Sequence, residues 1–204
     1  MRLKNLALIL LLAAATAAQS QDAAGPTYNV ELIVFRATLA QGAAEDWSAE
    51  SPASDNTVAG AESGSGSSVG HFVGVLPTSQ FQLTDIESKL RASSAYQPLA
   101  HVAWSQTASA WGTRAGFPVQ KLGIDVPGLS GNVFLERGQY LHLGVALNYA
   151  EPNPPAGLGA GASTTFTMNQ SRRIKFYERN YYDHPAFGVI ALVTPAQGAR
   201  PPGR

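Results

Sequence analysis

The side chains most able to do chemistry gather at residues 181–188, Tyr-Tyr-Asp-His-Pro-Ala-Phe-Gly. Asp183 and His184 are an acid and a base side by side, and with Tyr182 they can form a polar binding surface. The same residues also suit a turn. Asp183 can accept backbone hydrogen bonds as an Asx-turn, and Pro185 fixes φ ahead of a following strand. His184, before proline, is pushed toward extended backbone. The turn is favoured, although a turn does not need both an aspartate and a histidine.

Just upstream lie Arg172, Arg173 and Lys175. A planar guanidinium fork suits a carboxylate or phosphate clamp. In a strand, Arg172 and Arg173 point to opposite faces, while Arg173 and Lys175 share one. The plainer reading, solvated strand residues with one pairing Asp183 or Glu178, is favoured here. An aromatic set completes the candidates: Trp104, Trp111, Tyr140 and Tyr182. Trp104 is expected in the core. Trp111 sits in a glycine-containing loop, where an exposed ring suits sugar stacking or a protein partner, and a ring folded back on the core is an equal alternative.

Enzyme constellations do not emerge. The histidines, His71, His101, His142 and His184, have no metal-motif spacing, and no cofactor is expected. Gly157 to Ala162 matches G-x-G-x-x-A, but a proline-rich loop precedes it and a strand pattern follows, so it reads as a flexible loop. No serine lies in an elbow or S-x-x-K motif. Glu136 and Glu178 read as solvated strand or strand-end residues. A hydrolase using Asp183 and His184 is the least favoured reading and needs a buried pair in a cleft with a nucleophile.

The elements that must position these residues read as follows. Tyr28 to Arg36 is a strand with Tyr28, Val30, Leu32 and Val34 on one face, and Ile33 and Phe35 apolar on the other. Residues 41–70, rich in Gly, Ser, Ala and acids, read as a mobile insertion. Thr84-Asp-Ile-Glu87 is a capping box opening a short helix over about 85–93, with Leu83, Ile86 and Leu90 on its apolar side. Tyr96 to Gln106 is a strand with Pro98 near its start. Residues 131–149 form a hairpin turning at Arg137-Gly138; a breaker-rich loop spans 150–163. Thr164 to Tyr177 reads as one long strand and Phe187 to Thr194 as the last. The fold class is α+β: a single domain, mostly antiparallel sheet, with one short covering helix and long flexible loops.

The chain of 204 residues suits one domain plus tails. Arg2 and Lys4 precede an apolar run, Leu6 to Ala15, then small residues: a cleavable signal peptide over residues 1–18. The run is shorter than the ~20 residues a spanning helix needs, so no membrane anchor is expected after cleavage. The domain then occupies 19–195, with a disordered tail at 196–204. No cysteine is present, which excludes disulfides, thiolate sites and a lipoprotein anchor. Cleavage leaves 12 basic against 14 acidic residues, a net −2, with no bulk drive toward nucleic acid.

The block Arg172-Arg173-Ile174-Lys175 … Glu178-Arg179-Asn180-Tyr181-Tyr182-Asp183-His184-Pro185-Ala186-Phe187-Gly188 resembles the signature of the CsiV family, R-R-M-R-S, one residue, E-L-H-Y-x-D-H-P, one residue, F-G. Tyr140-Leu141-His142 is similar to that family's Y-L-H segment. His101 … Trp104-Ser105-Gln106 is similar to its H-E-A-W-R-Q strand, and Tyr28 to Phe35 to its opening strand. Val102, Ser105 and Asn180 depart from the pattern. The resemblance implies a non-catalytic, periplasmic peptidoglycan-binding protein that works with an outer-membrane lipoprotein activator of a bifunctional peptidoglycan synthase. It carries no residue-level binding map, so the candidates are matched or nearby positions: Arg172, Arg173, Lys175, Tyr182, Asp183, His184, His142 and Trp111. A protein-interaction module without direct glycan contact is the alternative. An exposed aromatic beside Arg173 would favour glycan, and a contiguous apolar patch would favour a protein partner.

Overall fold

The structure is a computed structural model and describes residues 25–38, 69–151, 153–154, 158 and 164–196. The signal segment, residues 41–68 of the insertion, most of the 150–163 loop and the tail from 197 lie outside the described residues.

Among the described residues, ten strands and one α-helix are arranged in chain order as β1 (Thr27–Ala37), β2 (Phe72–Val75), α1 (Thr84–Ala92), β3 (Tyr96–Thr107), β4 (Ser109–Ala110), β5 (Phe117–Pro118), β6 (Leu129–Arg137), β7 (Leu141–Ala150), β8 (Thr165–Arg173), β9 (Arg179–Asp183) and β10 (Phe187–Pro195). The antiparallel sheet expected from the sequence divides in two. One sheet has the order β2-β3-β1-β10-β9, and the other the order β4-β6-β7-β8, with β5 paired to β6. Every pairing is antiparallel except the short β4–β6 contact, so the α+β, mostly antiparallel reading holds.

The two sheets share one apolar core. Tyr28, Val30, Leu32 and Val34 of β1 face Val133 and Leu135 of β6, Leu143, Val145 and Leu147 of β7, and Phe166 and Met168 of β8. Full burial of such side chains contributes about 1.5–3 kcal/mol each. The alternation read in β1 and β7 is the alternation between this core and the outer faces. Leu158, from the loop read as flexible, is also buried in it. On the outer face of the first sheet, Ile33 and Leu192 meet Leu83, Ile86 and Leu90. The helix therefore covers one face, as its apolar side requires.

Two local readings are corrected. The Thr84 capping box does not form. Leu83 is the N-cap and no side chain caps it. Instead, the buried Glu31 carboxylate of β1 accepts the N–H groups of Gln82 at 2.7 Å and Leu83 at 2.8 Å, immediately before the helix. Glu87 reaches sideways to His101 at 2.7 Å and to Arg91 rather than back along the chain. A carboxylate buried on a strand must find donors, and the helix start supplies two of them.

The long strand read over 164–177 is two strands. β8 ends at Arg173 in the second sheet, and β9 begins at Arg179 in the first. Between them the chain crosses one end of the sandwich. Ile174 is buried, Phe176 stacks on Tyr28 at 5.8 Å, and Tyr177 takes a left-handed φ of 64°. Burial of Ile174 and Phe176 across that end outweighs continuing the strand.

Candidate functional site

The hairpin β6–β7 sets His142 opposite Glu136, and the β7–β8 register sets His142 opposite Arg173. These residues share the outer face of the second sheet, away from Leu141 and Leu143. β4 runs alongside β6 and delivers Trp111 to the same place, where its N–H donates to the Arg137 carbonyl at 3.1 Å. The Trp111 ring lies 4.1 Å from the His142 ring, centroid to centroid. The Arg173 guanidinium sits 3.3 Å above the Tyr140 ring centroid. Trp111 is 56% exposed and Tyr140 42% exposed. The result is a continuous ridge of Trp111, His142, Arg173 and Tyr140.

This ridge has defined chemistry. Neither Arg172 nor Arg173 forms a salt bridge among the described residues; each lies over a ring instead. A guanidinium held over a tyrosine ring can still present N–H groups to a carboxylate. Trp111, 56% exposed, offers ring surface suited to a sugar or apolar ligand. His142 Nδ1 is buried without a hydrogen-bond partner among the described residues. The loop after Trp111 is pinned over the face by Glu136, which accepts the Arg114 N–H, while the Arg114 guanidinium lies over Phe134. Glu136 is therefore buried and structural, not the solvated strand residue expected. Its pairing with a backbone N–H explains why burial is tolerated.

The remaining candidates lie elsewhere. Tyr182 is fully buried and donates its hydroxyl to the Leu143 carbonyl at 2.8 Å, so it is a core residue rather than part of a polar surface. Burial raises its pKa well above the ordinary tyrosine value, so the hydroxyl stays protonated. Arg172 lies over the Tyr182 ring and donates to Gln170. Lys175 does not share a strand face with Arg173, because β8 has already ended; it pairs with Glu178 at 3.9 Å in the following turn.

Asp183 and His184 join β9 to β10 as the tight turn read from their sequence. His184 Nδ1 accepts the Ala186 N–H at 3.1 Å, and the exposed Asp183 accepts the Tyr181 hydroxyl at 2.8 Å. Both line an aromatic concavity of about 320 Å³ on the outer face of the first sheet, with Phe35, Tyr96 and Tyr181. Within it Tyr181 stacks on Phe35 at 6.0 Å. The exposure of Asp183 does not meet the buried-pair condition set for a hydrolase.

Sequence reasoning named three of the four ridge residues as site candidates and the fourth, Tyr140, as a notable aromatic. It missed Arg114 and the buried role of Glu136, since both depend on how the 111–116 loop folds over the sheet.

Among the described residues no helix is long and apolar enough to cross a membrane, and no group of three or more His, Asp or Glu side chains is placed to hold a metal ion. No curated protein and no solved structure matches the chain. A family model described as "Peptidoglycan-binding protein, CsiV" matches residues 5–196. With nearly the whole chain covered, including both sheets and the ridge, the protein belongs to the CsiV family of peptidoglycan-binding proteins.

Proposed function

We propose that the ridge formed by Trp111, His142, Arg173 and Tyr140 is where this protein binds peptidoglycan, and that it acts there without catalysis. The observation that carries this reading is the exposed aromatic beside Arg173. Tyr140 lies directly under the guanidinium and Trp111 stands next to it through His142. Peptidoglycan offers both chemistries that such a ridge accepts. Its pyranose rings have apolar faces for Trp111, and its stem peptides have carboxylates for the N–H groups of Arg173.

In this reading, residues 1–18 direct export and are removed, residues 19–195 form the working domain, and the protein operates in the periplasm. It supports wall synthesis through an outer-membrane lipoprotein activator of a bifunctional peptidoglycan synthase. A surface suited to such a protein partner is the edge strand β2. Val73 and Val75 are exposed there, next to the exposed Val69, on the strand that ends the first sheet among the described residues.

Co-sedimentation of residues 19–204 with intact sacculi tests the reading. Saturable pelleting is expected, reduced roughly tenfold or more by Trp111→Ala or Arg173→Ala with the circular dichroism spectrum unchanged. Pelleting that is indifferent to both changes removes the ridge from the reading. No pelleting above an inert control, with a photo-crosslinker at Val73 capturing an envelope lipoprotein, would leave the protein-interaction module in its place.

A further inference from the structure

The first sheet carries a second polar surface at the same end of the sandwich as the ridge. It is a groove of about 560 Å³ whose polar lining includes Asn29, Gln80, Gln82, Ser105 and Thr194, with Tyr177 at its rim. Among the described residues no charged side chain lines it. The Ser105 hydroxyl donates to Asn29 Oδ1 at 2.6 Å and fixes that amide, leaving its Nδ2 hydrogens toward the groove without a partner among the described residues. The side-chain amides of Gln80 and Gln82 likewise make no hydrogen bond among the described residues. Gln82 is held in place through its backbone, which donates to Glu31. The groove thus presents unpaired amide donors and acceptors on a fixed backbone.

Tyr177 supplies an independent observation. Its φ of 64° is left-handed, a conformation that disfavours a bulky L-residue by about 1–2 kcal/mol. Yet its ring is 67% exposed, so core burial does not account for the strain. The backbone is pinned, because the Tyr177 N–H donates to the Val193 carbonyl at 3.1 Å and the neighbouring Phe176 is packed on Tyr28. The packing of Phe176 holds the turn, and the turn projects the Tyr177 ring at the groove mouth. Glycine or asparagine would suit this backbone better if only a turn were needed.

We infer that this groove binds a neutral N-acetylated sugar, with the Tyr177 ring against the pyranose face and the amides of Asn29, Gln80 and Gln82 hydrogen-bonding its hydroxyl and acetamido groups. Amides both donate and accept, as those sugar groups do, and the uncharged lining sets no electrostatic barrier to a neutral ligand. The assignment rests on the peptidoglycan reading and divides the labour within it. The groove takes a further stretch of the glycan strand, beyond the sugar on Trp111, and Arg173 takes a peptide carboxylate. The crossover from Arg173 to Tyr177 joins the two surfaces, and its four Cα–Cα steps cover at most ~15 Å. One polymer segment can therefore reach both, and linked contacts gain by effective concentration.

The test uses residues 19–204 and a tetramer of N-acetylglucosamine, which is neutral and carries no peptide, with affinity read by heteronuclear NMR titration. Wild type is expected to bind weakly and saturably. Tyr177→Ala and Gln82→Ala should each weaken binding roughly tenfold, about what the loss of one well-made ring or hydrogen-bond contact produces. Tyr177→Gly should weaken binding equally while raising the melting temperature, because it relieves the left-handed strain, so lost binding cannot be ascribed to lost fold. Arg173→Ala should leave tetramer binding unchanged even where it reduces sacculus pelleting, which keeps failure of the ridge separate from failure of the groove. Tetramer binding unaffected by both Tyr177→Ala and Gln82→Ala, or no tetramer binding by wild type, overturns the assignment.

Discussion

His101 is held between two carboxylates, with Nε2 2.7 Å from Glu31 and Nδ1 2.7 Å from Glu87. Burial alone disfavours the charged ring, but the hydrogen bonds and charges of Glu31 and Glu87 outweigh it, and its pKa rises above the ordinary 6.5. The hydrogen bond from His101, then that from Arg91, holds Glu87 below its ordinary value of 4.5. The signs follow from linkage. The His101 contribution to stability is full below ~6.5 and is lost as pH rises through its raised folded value. The Glu87 contribution is present above its ordinary value and is lost as pH falls through its lowered folded value. Urea unfolding followed against pH should therefore show wild type losing stability from about pH 6.5 upward, relative to His101→Gln. Parallel pH profiles for the two proteins would contradict this account. None of this was legible in the sequence, where His101 and Glu31 stand seventy positions apart and His101 entered only as part of a family-like strand.

At the scale of elements, the helix shows how a correct element can rest on a misread cause. Leu83, Ile86 and Leu90 face the sheet as their spacing implies. The cap, however, comes from Glu31 on a distant strand rather than from Thr84. Thr84→Ala should therefore change stability by less than about 0.5 kcal/mol. Glu31→Gln should cost about 2–3 kcal/mol, since it replaces one oxygen of a buried carboxylate shared by two N–H groups and the His101 imidazole with an N–H donor. Chemical denaturation of both variants decides between the two caps; equal costs would restore the local capping box. The 164–177 segment failed for a related reason. Periodicity records which faces are apolar, and Ile174 and Phe176 are apolar, but it does not record that they turn into the end of a sandwich instead of continuing one sheet.

At the scale of the molecule, the two sheets are joined by a packed core and by a few polar links. The Tyr182 hydroxyl of β9 reaches the Leu143 carbonyl of β7, Gln170 of β8 donates to the Asp183 carbonyl of β9 at 2.7 Å, and Arg137 donates to the Tyr28 hydroxyl. The Arg36–Glu151 ion pair adds a further tie from β1 to the end of β7 at 2.8 Å. Tyr182→Phe leaves the shape of the core intact but removes the hydroxyl's bond to a buried carbonyl, so a loss of about 1 kcal/mol is expected. The urea midpoint should fall with the m-value unchanged, and tryptophan fluorescence should coincide with far-ultraviolet circular dichroism, since the shared core makes both sheets one cooperative unit. Separate transitions for the two probes would mean that the sheets fold independently.

Legible in the order of residues alone are the strand identities of β1, β7 and β10, the inward set of β1, the helix and its apolar side, the tight turn at 183–187 and the family. Each is a local pattern: alternation, helical spacing, turn chemistry or a contiguous motif. Tertiary structure alone decided that there are two sheets, that Tyr182 is core while Asp183 beside it is exposed, and that Trp111, His142 and Arg173 meet on one face. Those outcomes depend on register and on which strands become neighbours. Residues far apart in the chain supply the donors, rings and cover that a buried carboxylate, an arginine or a tryptophan settles against, and no local pattern in the chain encodes them.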